Sequence, residues 1–115
     1  MIEELFGAID RKNASAFAGY LTDDCIFRFG NQQPVVGKAK VEQYVAAFFD
    51  SIHGIEHKIE DVWSADGVIV CHGLVTYRRR SGSELSIPFA NVFKMAGRKV
   101  QEYLIFADTS DLYEE

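Results

Sequence analysis

VIVCHGLVTYRRRSGSELSIPFANVFKM, residues 68 to 95, is the stretch that decides the fold. Two runs rich in β-branched and aromatic residues, Val68 to Arg80 and Glu84 to Met95, flank Ser81-Gly82-Ser83, which has the composition of a hairpin turn. The pattern continues on both sides. Downstream, Ala96-Gly97-Arg98 turns the chain into a further strand, Lys99 to Ala107; upstream, Ala65-Asp66-Gly67 closes one from Ile55 to Trp63. Four strands joined by short turns read as an antiparallel meander. The long strand is apolar on both sides: Val70, Leu74 and Thr76 fall on one face, and Ile69, Cys71, Val75 and Tyr77 on the other. A sheet with one wet face alternates more cleanly, so both faces call for a cover.

The first half of the chain supplies one cover. Ile2, Leu5, Phe6 and Ile9 keep the i, i+3, i+4, i+7 spacing of a helix with one buried stripe. Asp10-Arg11-Lys12-Asn13 interrupts it, and Asn13 is placed to cap a second short helix burying Ala14, Phe17, Ala18 and Leu21. Thr22-Asp23-Asp24 leads into a strand, Cys25 to Phe29, followed by the loop 30–34 and a stub at Val35-Val36. After Gly37, a third helix carries Val41, Tyr44, Val45, Phe48, Phe49 and Ile52 on one face, with Gly54 as its C-cap. The fold expected is α+β: a cone-shaped, highly curved antiparallel sheet packed on three N-terminal helices and enclosing an apolar pocket, in one domain over residues 1–115. Helices cover only one face of such a sheet, and a homodimer is the simplest cover for the other.

Composition narrows the function. The net charge of −5 repels phosphate backbones and anionic lipid, which argues against nucleic-acid and membrane-surface partners. Arg78-Arg79-Arg80, the one basic cluster, reads as a solvated strand end. Cys25 and Cys71 form no CxxC motif and sit among apolar residues, as buried free thiols of a reduced compartment do. The chain opens without a basic, apolar leader and holds no long apolar run, so the expected location is cytoplasmic. His53 and His57 have helical metal-ligand spacing, but Gly54 interrupts the helix and no further ligand completes a site; no metal is expected. His57, near a sheet edge, is expected to make a structural hydrogen bond. No nucleophile elbow, phosphate loop or dinucleotide glycine pattern is present, and no cofactor is implied.

Several stretches together carry a family resemblance: Leu5-Phe6-Gly7-Ala8-Ile9-Asp10; Tyr20-Leu21-Thr22-Asp23-Asp24 before a Phe-rich strand; Gly37 before the third helix; Pro88-Phe89-Ala90-Asn91-Val92-Phe93; and Tyr103-Leu104-Ile105-Phe106-Ala107-Asp108. The chain resembles, over nearly its whole length, the SnoaL-like group of the nuclear transport factor 2-like superfamily, to which ketosteroid isomerase and limonene epoxide hydrolase also belong. The resemblance marks fold far more than reaction. It places Phe29 where the isomerase has its general-base aspartate and Leu5 where it has its oxyanion-donating tyrosine. It places Ile105 where the hydrolases and cyclases have an essential aspartate, with Asp108 three residues beyond. Asn91 takes the place of the isomerase's protonated aspartic acid, and an amide there donates a hydrogen bond without needing a shifted pKa.

With Asn91 facing the pocket, alternation brings Ile87, Phe89 and Phe93 to the same face. Pairing across the 81–83 turn is expected to add His72, Leu74 and Thr76. The family pattern adds Phe27, Phe29, Tyr103 and Ile105, with Tyr44 closing the pocket from the third helix. Such a wall suits a small hydrophobic molecule oriented by two or three hydrogen bonds. His72 as general base and Asn91 as hydrogen-bond donor would abstract a proton beside a carbonyl; the same pair would also serve merely to satisfy a core. Trp63 reads as core filler or pocket wall, and Asp108 as a turn-capping residue. Three functions stay open: a cofactor-free isomerase, cyclase or hydrolase; a non-catalytic small-ligand-binding protein; and a dimeric scaffold with a filled pocket.

Overall fold

The computed structural model describes residues 1–113. The chain begins with α1 (Ile2–Asp10), whose Leu5, Phe6, Ala8 and Ile9 are buried. Asn13 caps α2 (Ala14–Ala18) as expected, its Oδ1 accepting from the Ala16 N–H at 3.0 Å. Leu21 lies beyond that helix and opens β1 (Leu21–Phe29), where it stands beside Val100. A two-residue β2 (Val35–Val36) precedes α3 (Lys38–Asp50). The second half is strand: β3 (Gly54–Ala65), β4 (Val68–Arg78), β5 (Glu84–Ala96) and β6 (Lys99–Ala107). Among the described residues no helix is long and apolar enough to cross a membrane.

α3 does not end at Gly54. Ser51 follows it, with Oγ donating to the Phe48 carbonyl at 2.6 Å. Lys12 Nζ reaches across to the carbonyls of Phe49 and Ile52, at 3.2 and 2.9 Å. With the last carbonyls satisfied by a hydroxyl and an ammonium, the helix end needs no left-handed glycine. Gly54 is free to open β3 opposite Arg78.

The six strands form one sheet in the order β2-β1-β6-β5-β4-β3. The meander is antiparallel as expected, but β1 pairs with β6 in parallel, so the sheet is mixed. Turn chemistry reveals hairpins between neighbours in sequence; the β1–β6 pairing joins segments some 75 residues apart and leaves no such mark. The inner face, including Ile55 of β3, Cys71, Val75 and Tyr77 of β4, Phe89 and Phe93 of β5 and Tyr103 of β6, forms the core with the helices. The outer face leaves Trp63 and Phe106 56% exposed.

The Arg78–Arg80 run is more than a solvated strand end. Arg78 pairs with Glu84 at 3.1 Å, and Arg79 donates to the carbonyls of Asp111 and Leu112, each at 2.9 Å. Arg80 bonds the Asp50 carbonyl. Arg79 thereby holds the segment after β6 against the sheet, with Leu112 buried beneath it.

Gly73 permits the curvature. The register of β3 against β4 shifts between Ile59 and Asp61, leaving Glu60 as a bulge. A Cβ at Gly73, opposite Ile59, would stand 1.9 Å from the Lys58 carbonyl oxygen. Gly73→Ala should therefore destabilise the chain by about 2 kcal/mol or more. For a domain of this size that lowers Tm by roughly 10 °C; an unchanged melting curve would show that the bulge relaxes freely. The two free thiols give a second test. Burial pushes both Cys25 and Cys71 up to about 11, with the Asp24 and Glu102 carboxylates adding to the effect at Cys25. At pH 8 hardly any thiolate is present in the folded chain. Iodoacetamide should modify neither cysteine without denaturant and both in its presence.

Candidate active site

Between the helices and the inner face lies a cavity of about 40 Å³, room for a few water molecules. Ile9 closes it from α1, Phe17 from α2, and Tyr44, Phe48 and Phe49 from α3. Aromatic rings make up most of the wall. Tyr103 is the hub, with ring centroids 4.6 Å from Phe93, 5.3 Å from Phe27 and 5.5 Å from Phe17. Burial holds the Tyr103 and Tyr77 hydroxyls above the ordinary tyrosine range, so both remain neutral O–H groups at physiological pH.

Of the residues expected at the site, Phe27, Phe29, Tyr44, Phe89, Asn91, Tyr103 and Ile105 line this cavity. Ile87 shares the inner face with Val75 but stands outside the cavity wall. His72, Leu74 and Thr76 lie on the opposite face. The register is the reason: Arg78 pairs with Glu84 across a five-residue loop, so Cys71 stands opposite Asn91, Gly73 opposite Phe89, and Val75 opposite Ile87. Residues directly opposite one another share a face, and a slip of one residue exchanges the two faces completely.

On the outer face His72 Nε2 donates to Asp61 Oδ2 at 2.8 Å, and the ring stacks on Trp63 with an interplanar angle of 8°. Trp63 is thus neither core filler nor pocket wall. Leu74 is 39% exposed, and the Thr76 hydroxyl bonds that of Ser86 at 2.7 Å. Asp108 also stays outside the cavity; its Oδ1 accepts from the Ser110 N–H at 3.0 Å, the turn-capping role read from the sequence.

The histidine inside is His57. It alternates with Ile55 and Ile59 along β3, and its side chain is only 9% exposed. Phe6 and Phe89 pack on its ring, with centroids at 4.7 and 5.1 Å. Asp10, the last residue of α1, holds it twice: Oδ2 accepts from the His57 backbone N–H at 3.1 Å, and Oδ1 lies 2.7 Å from Nδ1. In the neutral ring this carboxylate takes the Nδ1 hydrogen and leaves Nε2 with a free lone pair. The structural hydrogen bond expected of His57 exists, and the ring that makes it also belongs to the cavity. The position of His57 between Ile55 and Ile59 was the signal for this. Asp10 carried none, because its partner lies 47 residues away.

Asn91 is the second polar point. It is 2% exposed, and its Oδ1 has no hydrogen-bond partner. A buried amide oxygen left so costs roughly 1–3 kcal/mol. The cavity is large enough for a water or a ligand donor to meet it. Among the described residues no group of three His, Cys, Asp or Glu side chains is arranged to hold a metal ion.

Three solved structures illustrate the fold. A candidate SnoaL-like polyketide cyclase from Jannaschia sp. CCS1 has 19% identity over 96% of this chain and 85% of its own, with a TM-score of 0.83. A hypothetical protein of ketosteroid isomerase-like fold from Catenulispora acidiphila, in complex with trimethylamine, has 11% identity over 91% of this chain and 82% of its own, with a TM-score of 0.84. An LEH-like epoxide hydrolase of M. tuberculosis has 12% identity over 98% and 84%, with a TM-score of 0.82. No curated protein matches the sequence. The SnoaL-like domain pattern matches residues 2–103, and the chain belongs to that family.

Proposed function

We propose that the protein is a cofactor-free acid–base catalyst acting on a small apolar carbonyl compound, with His57 as the base. The observation that carries this reading is the Asp10–His57 pair: a carboxylate fixes the imidazole on the cavity wall with Nε2 free to accept. A C–H proton beside the carbonyl passes to Nε2, and its electron pair moves into the enolate. The Tyr103 O–H and the Asn91 amide, which also line the cavity, are the groups available to hydrogen-bond the enolate oxygen. In a β,γ-unsaturated substrate the enolate is a dienolate, and return of the proton to its γ-carbon shifts the double bond and completes an isomerisation; attack of the enolate carbon on a second carbonyl completes a ring closure, the base returning its proton to the alkoxide. The apolar wall suits a substrate that brings its own acidifying carbonyl and little other polarity.

The test is deuterium wash-in. The protein is incubated with 2-tetralone in D2O, and loss of the α-proton signal is followed by NMR. Wild type should exceed the buffer rate, and His57→Gln should lower the excess by about 10²-fold or more. Equal exchange by the two proteins would remove His57 from the chemistry. Binding of 2-tetralone without any exchange would favour the non-catalytic ligand-binding reading of the same cavity.

Self-association belongs to the same proposal. The helices pack on the inner face, while Trp63, Leu74 and Phe106 are exposed on the outer one. There Lys58, Lys94 and Arg28 accompany Glu56, Asp61 and Glu102, so two copies of this face meet without a large excess of like charge. Sedimentation equilibrium at tens of micromolar should give twice the monomer mass, and Phe106→Glu should give the monomer. A monomeric wild type would remove the dimer from the reading.

A further inference from the structure

The cavity of about 40 Å³ is far smaller than the roughly 300–1,000 Å³ that small-molecule sites usually offer. Beside it lies a groove of about 530 Å³ at the end of the sheet, open to solvent. One residue, Phe29, lines both spaces. Its ring is half-buried at the last position of β1, packed on Phe48 at 5.2 Å and on Phe27 at 6.5 Å. Gly30, which follows it, is anchored by its N–H to the Ile105 carbonyl at 2.9 Å, so the backbone is held while the side chain stands between the two spaces. Rotation of that ring about its χ1 bond would widen the passage between them.

The two ends of the joined space differ in chemistry. The inner end is aromatic with the polar points His57 and Asn91; the outer end sets Asn31, Gln32, Thr109, Ser110 and Asp108 beside the exposed rings of Phe106 and Tyr113. No Lys or Arg lines the groove among the described residues, and its one carboxylate is Asp108. Hydrogen bonds from Ser110 hold that carboxyl below the ordinary aspartate range, so it is anionic at neutral pH.

We propose that Phe29 is a gate and that the groove is the outer half of the same site. The substrate is then an elongated molecule, with a cyclic apolar carbonyl head in the cavity and a cationic or uncharged polar tail beside Asp108. Anionic tails are disfavoured. This inference rests on the reading of the cavity as a substrate site and adds the shape and charge of what enters it.

Three probes separate the two claims: 2-tetralone itself, 6-(2-aminoethoxy)-2-tetralone and 6-(carboxymethoxy)-2-tetralone. Binding is measured by isothermal titration calorimetry to wild type, Phe29→Ala, Phe29→Leu and Asp108→Asn, with each variant's folding checked by circular dichroism. Wild type should bind the amine-tailed probe at least tenfold more tightly than the carboxylate-tailed one. Asp108→Asn, which keeps an oxygen to accept from Ser110, should narrow that preference to within about threefold. Phe29→Ala, with Phe29→Leu as the milder version, should tighten both tailed probes, because less of the population is closed to them. Equal affinity for the two tails, or tailed binding untouched by the gate variants, overturns the gate and groove; if 2-tetralone still binds, the cavity reading survives that result. Failure of every probe to bind wild type and variants alike overturns both.

Discussion

The arrangement of the site depends on the two hydrogen bonds that Asp10 accepts from His57. Asp10 is the last residue of α1, where the helix dipole disfavours a carboxylate by roughly 0.3–1 kcal/mol. Hydrogen bonds to a charged group contribute about 1.5–3 kcal/mol each, so the pair outweighs the unfavourable position. The backbone bond fixes β3 against the end of α1, and the side-chain bond fixes the ring. The same contact therefore ties β3 to α1 and fixes a ring that lines the cavity. Lys12, two residues on, acts near the end of α3 by donating to the carbonyls of Phe49 and of Ile52 just beyond the helix. Helices α1 and α3 are thus tied to their neighbours by polar contacts at their C-termini, while their apolar faces fill the core.

What was legible in the sequence was whatever is local. The limits of β6, Lys99 to Ala107, and the Asn13 cap of α2 follow from alternation, turn residues and a single side chain reaching three residues ahead. What was not legible depends on pairings between distant segments. The parallel β1–β6 contact has no turn of its own, and the Asp10–His57 pair spans 47 residues. The misplacement of His72 has a different origin. β4 is apolar on both faces, so hydrophobic alternation could not select which one carries Asn91's neighbours, and only the closing pair Arg78–Glu84 does so. The family pattern fared better at Phe27, Phe29, Tyr103 and Ile105, because it encodes β1 and β6 through the fold and not through a hairpin register.

Asn91 shows what the cavity is built to tolerate. Its neighbours on the inner face of β5 are Phe89 and Phe93, and a leucine in its place would remove an unpartnered amide oxygen from the core. On stability alone the amide is the worse choice by roughly 1–3 kcal/mol. A core that keeps such a group, beside a void that admits water and within one cavity wall of an oriented imidazole, departs from the rule of satisfied polarity at the place where chemistry would need it. The surrounding aromatic packing absorbs the cost. Tyr103, Phe93 and Phe17 are each buried to within 1% of complete enclosure, and Phe93 and Phe17 each meet the Tyr103 ring edge to face.

The chain carries two aspartate–histidine pairs with nearly equal distances, 2.7 Å for Asp10–His57 and 2.8 Å for Asp61–His72. Distance does not distinguish them; surroundings do. Asp61 and His72 expose 57% and 39% of their side chains, so water screens the pair and its net contribution falls in the range of about 0–1 kcal/mol. His57 is enclosed by Phe6 and Phe89, where a hydrogen bond is less diluted by solvent and a reacting atom would meet no competing water except what the cavity admits. Trp63 stacked on His72 gives the outer pair a flat apolar cover suited to a surface contact, whereas the imidazole of the inner pair borders a void. The same two residue types thus serve different ends on the two faces of one sheet: the register closed by Arg78 and Glu84 puts His72 on the face away from Asn91, and His57 stands opposite Val75 on the inner one.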